Sequence, residues 1–179
     1  IHNVRSRYTS TNLIENINTE IQNDFNIYIR SPLILTTTLL NNLENGMDPS
    51  VIFMGSTNSS FVSQQPISYH ICKGSLFQLV RYLAISLAKM QIRVNLINPG
   101  VVRIKERLKK NHIFEEAIHS VIPLGRAAET AEIANLCYFL TSPDTKYITG
   151  TTITIDGGEH IVDHMSLAQS ILNKFNTEL

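Results

Sequence analysis

The chain has 179 residues, 43% of them hydrophobic and 17% charged, an ordinary globular composition of about one domain that can bury a sizeable core. Lys plus Arg and Asp plus Glu number 15 each, so no net field draws the protein to nucleic acid or to an anionic membrane. The two cysteines, Cys72 and Cys137, are too few for a disulfide framework and stand in no metal-ligand spacing.

Both cysteines fall in apolar, helix-like segments, where a free thiol behaves as a small hydrophobe, and a reducing compartment is the simple reading. No apolar run reads as a membrane span, and residues 1–10 lack an apolar signal core. The expectation is a cytoplasmic protein with no nucleic-acid and no membrane partner.

In chain order, residues 1–30 are polar, with a helix expected around 19–29. Ser31-Pro32 opens a helix that Gly46 closes: Ser can cap, Pro suits the first turn and Gly suits the stop. Asp48-Pro49 is a turn. Residues 51–54 form a continuous apolar run, the pattern of a strand buried on both faces. Residues 55–65 are rich in Ser, Thr, Asn and Gln and read as a loop. Residues 67–90 carry Ile71, Leu76, Leu79, Val80, Leu83 and Leu87 at helical spacing, and 92–97 is a second strand, stopped by Asn98-Pro99-Gly100.

Two short helices are expected up to about residue 120, then an amphipathic helix over 129–140. A third strand is expected over 147–155, closed by Asp156-Gly157-Gly158, and a helical extension over 159–179. Strands alternating with helices imply βαβ units and a parallel sheet.

Tyr69 and Lys73 lie one helical turn apart, so their side chains share a face. Ser56 sits just past the end of the first clear strand, where α/β folds place ligand sites. A free Tyr, with a pKa of about 10, is a poor base near neutrality. A nearby ammonium favours the phenolate and turns the phenol into a usable general acid or base. A hydride can come from no side chain, so a cofactor must carry it. Taken singly these residues are unremarkable, since a Tyr and a Lys on one helix face are more often a solvated pair and a loop Ser is more often a turn residue.

The order of the whole set is specific. Residues 51–56 (VIFMGS), 69–74 (YHICKG), 92–100 (IRVNLINPG), 122–126 (IPLGR), 131–134 (AEIA) and the run from Thr149 to Gly158 resemble the core of the classical short-chain dehydrogenases/reductases over residues 13–158. The resemblance implies a Rossmann-like, doubly wound parallel sheet that is N-terminally incomplete. It also implies NAD or NADP as cofactor and a small carbonyl or alcohol as substrate. Ser56 would orient the substrate oxygen, Tyr69 would act as acid and base, and Lys73 would bind the nicotinamide ribose and lower the Tyr69 pKa. Pro99, Gly100 and the backbone of Val102 would contact the nicotinamide. The family also packs as homodimers or homotetramers through the helices that begin at Ser31 and Ile67.

The sequence departs from the family pattern in several places. No Gly-rich pyrophosphate turn is present, and Ile1-His2-Asn3 aligns with the family's fourth strand and its Asn-Asn-Ala-Gly segment, which gives Asn3 a weak claim to the cofactor site. Tyr28 stands where the family has an Asn that supports a proton relay; its hydroxyl offers a water a partner, and its bulk fills space. Ile104 replaces a Thr that contacts the nicotinamide amide. Gly55 replaces a Ser, a change expected to be minor.

Two accounts fit these departures: a divergent or truncated member, or a record without the N-terminal half. The competing function is a non-catalytic protein that keeps the family's oligomer-forming helices. No metal site is expected. His160 and His164 would share a face if helical but read better as a surface pair, and Arg126 reads as a structural contact near a helix start. Lys105, Arg107, Lys109 and Lys110 read as a solvated helix face rather than a phosphate patch.

Overall fold

The computed structural model describes residues 1–4, 17–103 and 112–177. Ile104 and the basic run from Lys105 to Lys110 lie outside the described residues. The chain packs as two compact units, Ile1–Asn98 with Ala134–Thr154, and Pro99–Ile133 with Ile155–Leu179.

Three strands form one sheet in the order β1 (Ser50–Met54), β2 (Arg93–Pro99), β3 (Thr152–Ile155). β1 and β2 are parallel, with Val51 opposite Val94 and Phe53 opposite Leu96. Bonds between Gly150 N–H and the Val94 carbonyl, and between Leu96 N–H and the Thr151 carbonyl, advance in the same direction along both segments. On the far edge of β1, His2 forms a parallel bridge to Phe53, donating to the Ile52 carbonyl and accepting from Met54 N–H. The 1–3 segment therefore takes the place of a neighbouring parallel strand.

Alternation along β1 divides the two faces. Val51 and Phe53, with Val94 and Leu96 of β2, join one apolar cluster with Tyr28, Cys72, Leu76, Val80, Leu83 and Leu87. Those last five lie on α4 (Ile67–Leu87), whose buried stripe recurs at helical spacing. On the other face, Met54 meets Cys137 of α6 (Thr130–Thr141), sulfur to sulfur at 4.0 Å, and the buried Arg93 guanidinium donates to the Leu140 carbonyl at the end of that helix. Helices thus cover both faces of a parallel sheet.

Three expectations need correction. The helix expected to start at Ser31 does not start there. α1 (Ile17–Phe25) runs through a π-helical turn (Asn26–Arg30) into α2 (Ser31–Thr38) and, past Leu39, α3 (Leu40–Glu44). Ser31 caps nothing; its hydroxyl donates back to the Asn26 carbonyl. A proline inside a helix removes one N–H and crowds the carbonyl four residues back, and the wide π turn just before Pro32 is where the helix absorbs that.

The third strand is shorter than residues 147–155. Gly150 takes a φ of +70°, and the buried Asn95 side chain replaces part of the ladder, donating to the Ile148 carbonyl and accepting from Thr151 N–H. Finally, α4 with the 3-10 turn Ala88–Met90 is long and apolar enough, by length and composition, to cross a membrane. Here its buried stripe packs in the apolar cluster over the sheet.

In the second unit, α5 (His112–Val121) contributes Ile118 to a small apolar cluster with Ile122 and Ala127. Arg126 grips Glu132 with both guanidinium nitrogens, at 2.7 and 2.8 Å, while Glu132 also accepts from Glu129 N–H. The carboxylate closes the first turn of α6 in the manner of a capping box and is held at about pKa 2 by the Arg126 hydrogen bonds and the Glu129 amide. The Asp156 carboxylate binds the amides of Gly158 and His160 and the His160 ring. His160 and His164 belong to different elements, the 3-10 turn Glu159–Ile161 and α7 (His164–Thr177).

Candidate active site

β1 ends at Met54, and Gly55 and Ser56 continue it with extended backbone, Ser56 at φ −168°. Ser56 then opens a 3-10 turn, Thr57–Ser59, by accepting from Asn58 N–H at 3.2 Å. From the next strand, the buried Asn98 reaches across. Its carbonyl oxygen accepts from Ser56 N–H at 3.2 Å and its amide donates to the Ser59 hydroxyl at 3.0 Å. One Asn side chain therefore holds both ends of the Ser56 turn.

Gly55 is what admits it. A Cβ at this position would lie 1.9 Å from the Asn98 carbonyl oxygen, so the substitution expected to be minor is coupled directly to the placement of Ser56. The sequence contained both residues, but only their juxtaposition shows the dependence.

Tyr69 and Lys73 project from α4 on one face. Tyr69 is half-buried, and its ring meets Tyr28 edge-on at 5.7 Å. Lys73 is buried; its ammonium donates to the Met54 carbonyl at 2.7 Å and lies 4.5 Å from the centre of the Tyr28 ring and 5.7 Å from that of Tyr69. An ammonium over aromatic faces with a carbonyl acceptor keeps favourable partners out of water. Lys73 is thus tied to the strand two residues before Ser56, and the structure brings Ser56, Tyr69 and Lys73 to the C-terminal end of β1.

Tyr28 packs under the Lys73 ammonium. It is 4% exposed and belongs to the core. Beside it lies a cavity of about 10 Å³ bounded by His2, Tyr28, Phe53, Met54 and Lys73, room for roughly one water. The His2 ring, stacked near Phe53 and bonded to Thr36 at 2.9 Å, titrates below its ordinary value because it is buried.

Behind Tyr69, Ser68 donates to the buried Asp24 at 2.6 Å, and the second Asp24 oxygen is buried with no hydrogen-bond partner among the described residues. Burial, with the Asp24 charge, pushes the Cys72 thiol up to about 11, against the opposing pull of Lys73. Cys72 is therefore a protonated core residue at neutral pH.

The remaining residues with an expected cofactor role are each held by local contacts. Asn3 is exposed beside the His2 bridge. Pro99 ends β2, and Gly100 N–H donates to the Ile155 carbonyl; a Cβ on Gly100 would fall 2.6 Å from that of Asp156. Val102 bridges Ala128 in parallel through its neighbours, the Val101 carbonyl and Arg103 N–H. The peptide N–H of Val102 itself faces the opposite edge. Pro99, Gly100 and Val102 belong to the second compact unit, and Ser56, Tyr69 and Lys73 to the first. Among the described residues no group of three His, Cys, Asp or Glu side chains could hold a metal.

Parallel strands, helices on both faces and a Ser, Tyr and Lys at one strand end define an α/β protein of Rossmann type. Residues 3–160 match the family described as enoyl-(acyl carrier protein) reductase, and the chain belongs to the short-chain dehydrogenases/reductases. It is 44% identical over 113 residues to a tropinone reductase homolog of Arabidopsis thaliana, covering 61% of this chain and 42% of that protein. It is 31% identical over 143 residues to an uncharacterized oxidoreductase of Bacillus subtilis, covering 80% of this chain and 59% of the relative.

The fold matches an acetoin dehydrogenase structure from Salmonella typhimurium with a TM-score of 0.77 at 22% identity, over 89% of this chain and 63% of that one. A 3-oxoacyl-[acyl-carrier protein] reductase from Brucella melitensis gives 0.75 at 19% identity, over 83% and 56%. The chain spans about half the length of the relatives it matches.

Proposed function

We propose that this chain supplies the catalytic residues of a nicotinamide-dependent oxidoreductase that interconverts a small alcohol and a carbonyl. The observation that carries the reading is the Lys73–Met54 bond. It locks the Tyr69 and Lys73 face of α4 against the strand end that bears Ser56. The Ser56 hydroxyl can then donate to a carbonyl oxygen on which negative charge develops, while the Tyr69 phenol gives that oxygen its proton, or removes it in the reverse direction.

The donors present suit the nicotinamide end of a dinucleotide. A half-buried phenol and an ammonium one turn along the same helix can hold ribose hydroxyls. The cofactor, when bound, supplies or takes the hydride. The sequence holds no Gly-rich turn for the pyrophosphate, so tight binding needs groups beyond those described here. The choice between NAD and NADP is open to the same assay.

The test is carbonyl reduction followed by loss of NADH or NADPH absorbance. Tyr69→Phe keeps the ring packing against Tyr28 and removes the proton, so turnover falls by roughly 10²-fold or more while cofactor affinity holds. A Phe variant with wild-type turnover would overturn the reading.

A second reading, a non-catalytic oligomeric interaction protein, draws on the exposed apolar residues Ile34, Leu35 and Leu39 on the helix after Ser31 and Ile71, Phe77 and Ile85 on α4. Such a surface suits self-association as a homodimer or homotetramer, which sedimentation at micromolar concentration would reveal under either reading. A chain that assembles but leaves NADH and NADPH fluorescence unchanged supports the second.

A further inference from the structure

His70, the residue after Tyr69, takes no part in the chemistry above, yet its ring is bonded on both sides. Nδ1 lies 3.0 Å from the Asn58 carbonyl, and Nε2 lies 3.4 Å from Ser63 N–H and 3.3 Å from the Ser63 carbonyl. The ring sits edge-on to Tyr69, with centroids 6.2 Å apart. Asn58 is also the residue whose N–H donates to the Ser56 hydroxyl oxygen, and its side-chain amide donates to the Ser63 hydroxyl at 2.9 Å. One residue therefore lies between the His70 ring and the Ser56 side chain.

The partners fix the proton. A carbonyl oxygen can only accept, so Nδ1 must carry hydrogen to bond Asn58; a bare Nδ1 would set two lone pairs against each other. In the neutral ring that leaves Nε2 bare, and Ser63 N–H is the donor that meets it. The opposite tautomer would satisfy the Ser63 carbonyl at the cost of the shorter Asn58 bond.

We propose that His70 is a positioning residue for Ser56: in its Nδ1–H form it clips the turn after Ser56 to α4 through the Asn58 carbonyl and so fixes the hydroxyl relative to Tyr69. The role rests on the reading of Ser56 as the group that orients the substrate oxygen. The geometry itself does not, so the two can be tested apart. The ring is only partly buried, so its replacement spares the core.

The test uses the full chain, ¹⁵N-labelled, with imidazole nitrogens assigned by loss of signal in His70→Asn. Long-range proton–nitrogen correlations of the neutral ring should show a protonated Nδ1 and a bare Nε2; a protonated Nε2 would overturn the proposal. Hydrogen exchange at the Asn58 amide should quicken about tenfold in His70→Ala, the effect of losing roughly one hydrogen bond's worth of local stability. It should return toward wild type in His70→Asn, whose side-chain amide can place a donor where Nδ1 stood. Unchanged exchange in His70→Ala would sink the clip.

Where carbonyl reduction is measured, kcat should fall in His70→Ala with KM nearly unchanged and recover in His70→Asn, and a kcat indifferent to His70 counts against the positioning role. A chain that passes the tautomer and exchange tests yet reduces no carbonyl contradicts the proposed oxidoreduction and leaves the clip standing.

Discussion

The two ends of strands β1 and β2 are built from the same backbone and solve different problems. At the C-terminal end, Ser56 accepts from Asn58 N–H and donates its own N–H to the Asn98 side chain, each at 3.2 Å, Asn98 reaches on to Ser59 at 3.0 Å, and Lys73 closes on Met54. At the N-terminal end lies an open cleft of about 550 Å³ lined by Glu44, Asp48, Lys89, Arg93 and Lys146. Its ion pair, Lys146 to Asp48 at 3.1 Å, is largely exposed on the lysine side.

Two residues of that cleft, Asp48 and Gln91, take positive φ without being glycine. They do so in the turns that enter β1 and β2, where Gln91 is exposed and Asp48 is partly exposed beside Lys146. Polar groups at the first end have little freedom, because each is another's partner. At the second end solvent can replace almost any of them. Sensitivity to substitution should differ accordingly.

Substitutions at the two ends probe that contrast. The largest effect belongs to Ser56→Ala: under the proposed function it removes the donor to the developing oxyanion and should lower kcat for carbonyl reduction by about 10²-fold with little change in the fold, checked by circular dichroism. Gly55→Ala comes next. Its Cβ must displace the Asn98 carbonyl oxygen, so denaturant unfolding should show a loss of about 1–3 kcal/mol. Asn98→Ala in the same chain should recover part of it, because neighbours that share one space do not add. Additive losses would show that Asn98 yields freely.

At the other end, Lys146→Ala removes an exposed partner of Asp48 and should change stability by less than about 1 kcal/mol. A loss as large as that from Gly55→Ala would erase the distinction between the ends.

The smallest effect is a pH dependence on the surface of the second unit. Glu132 ionises near 2 in the folded protein because Arg126 and the Glu129 amide bind its carboxylate, against an ordinary value of 4.5. A depressed folded value favours the folded state above the ordinary one, and that contribution fades as pH falls from about 4.5 toward 2. In Glu132→Gln the slope of stability against pH should flatten across that window and stay unchanged above pH 6. The Glu132 side chain is 40% exposed, so salt should weaken the difference.

Much of this was legible in the sequence because its causes are local. The period of Leu76, Val80, Leu83 and Leu87 dictates a helix with one buried stripe, and the continuous run from Val51 to Met54 dictates a strand covered on both faces. Tyr69 and Lys73 share a face because a helix repeats every 3.6 residues. The errors have equally definite causes. Ser31-Pro32 carries the local signs of a helix start, but packing of α1 against α4 kept the helix continuous and pushed the accommodation of Pro32 into a π turn. The strand before Asp156 was drawn too long because nothing in the local pattern shows that the side chain of Asn95 substitutes for its ladder.

The sequence by itself determined the order of elements, the parallel alternation and the family, and singled out Ser56, Tyr69 and Lys73 as the candidate site, since periodicity and motif spacing are properties of neighbours along the chain. Only the tertiary structure decided that Asn98 needs Gly55 to be a glycine, that Tyr28 stacks under the Lys73 ammonium, that Ser68 leans on a buried Asp24, and that His70 reaches Asn58. Each of these joins residues from separate segments, and their distances depend on how helices and strands pack, which no local pattern records.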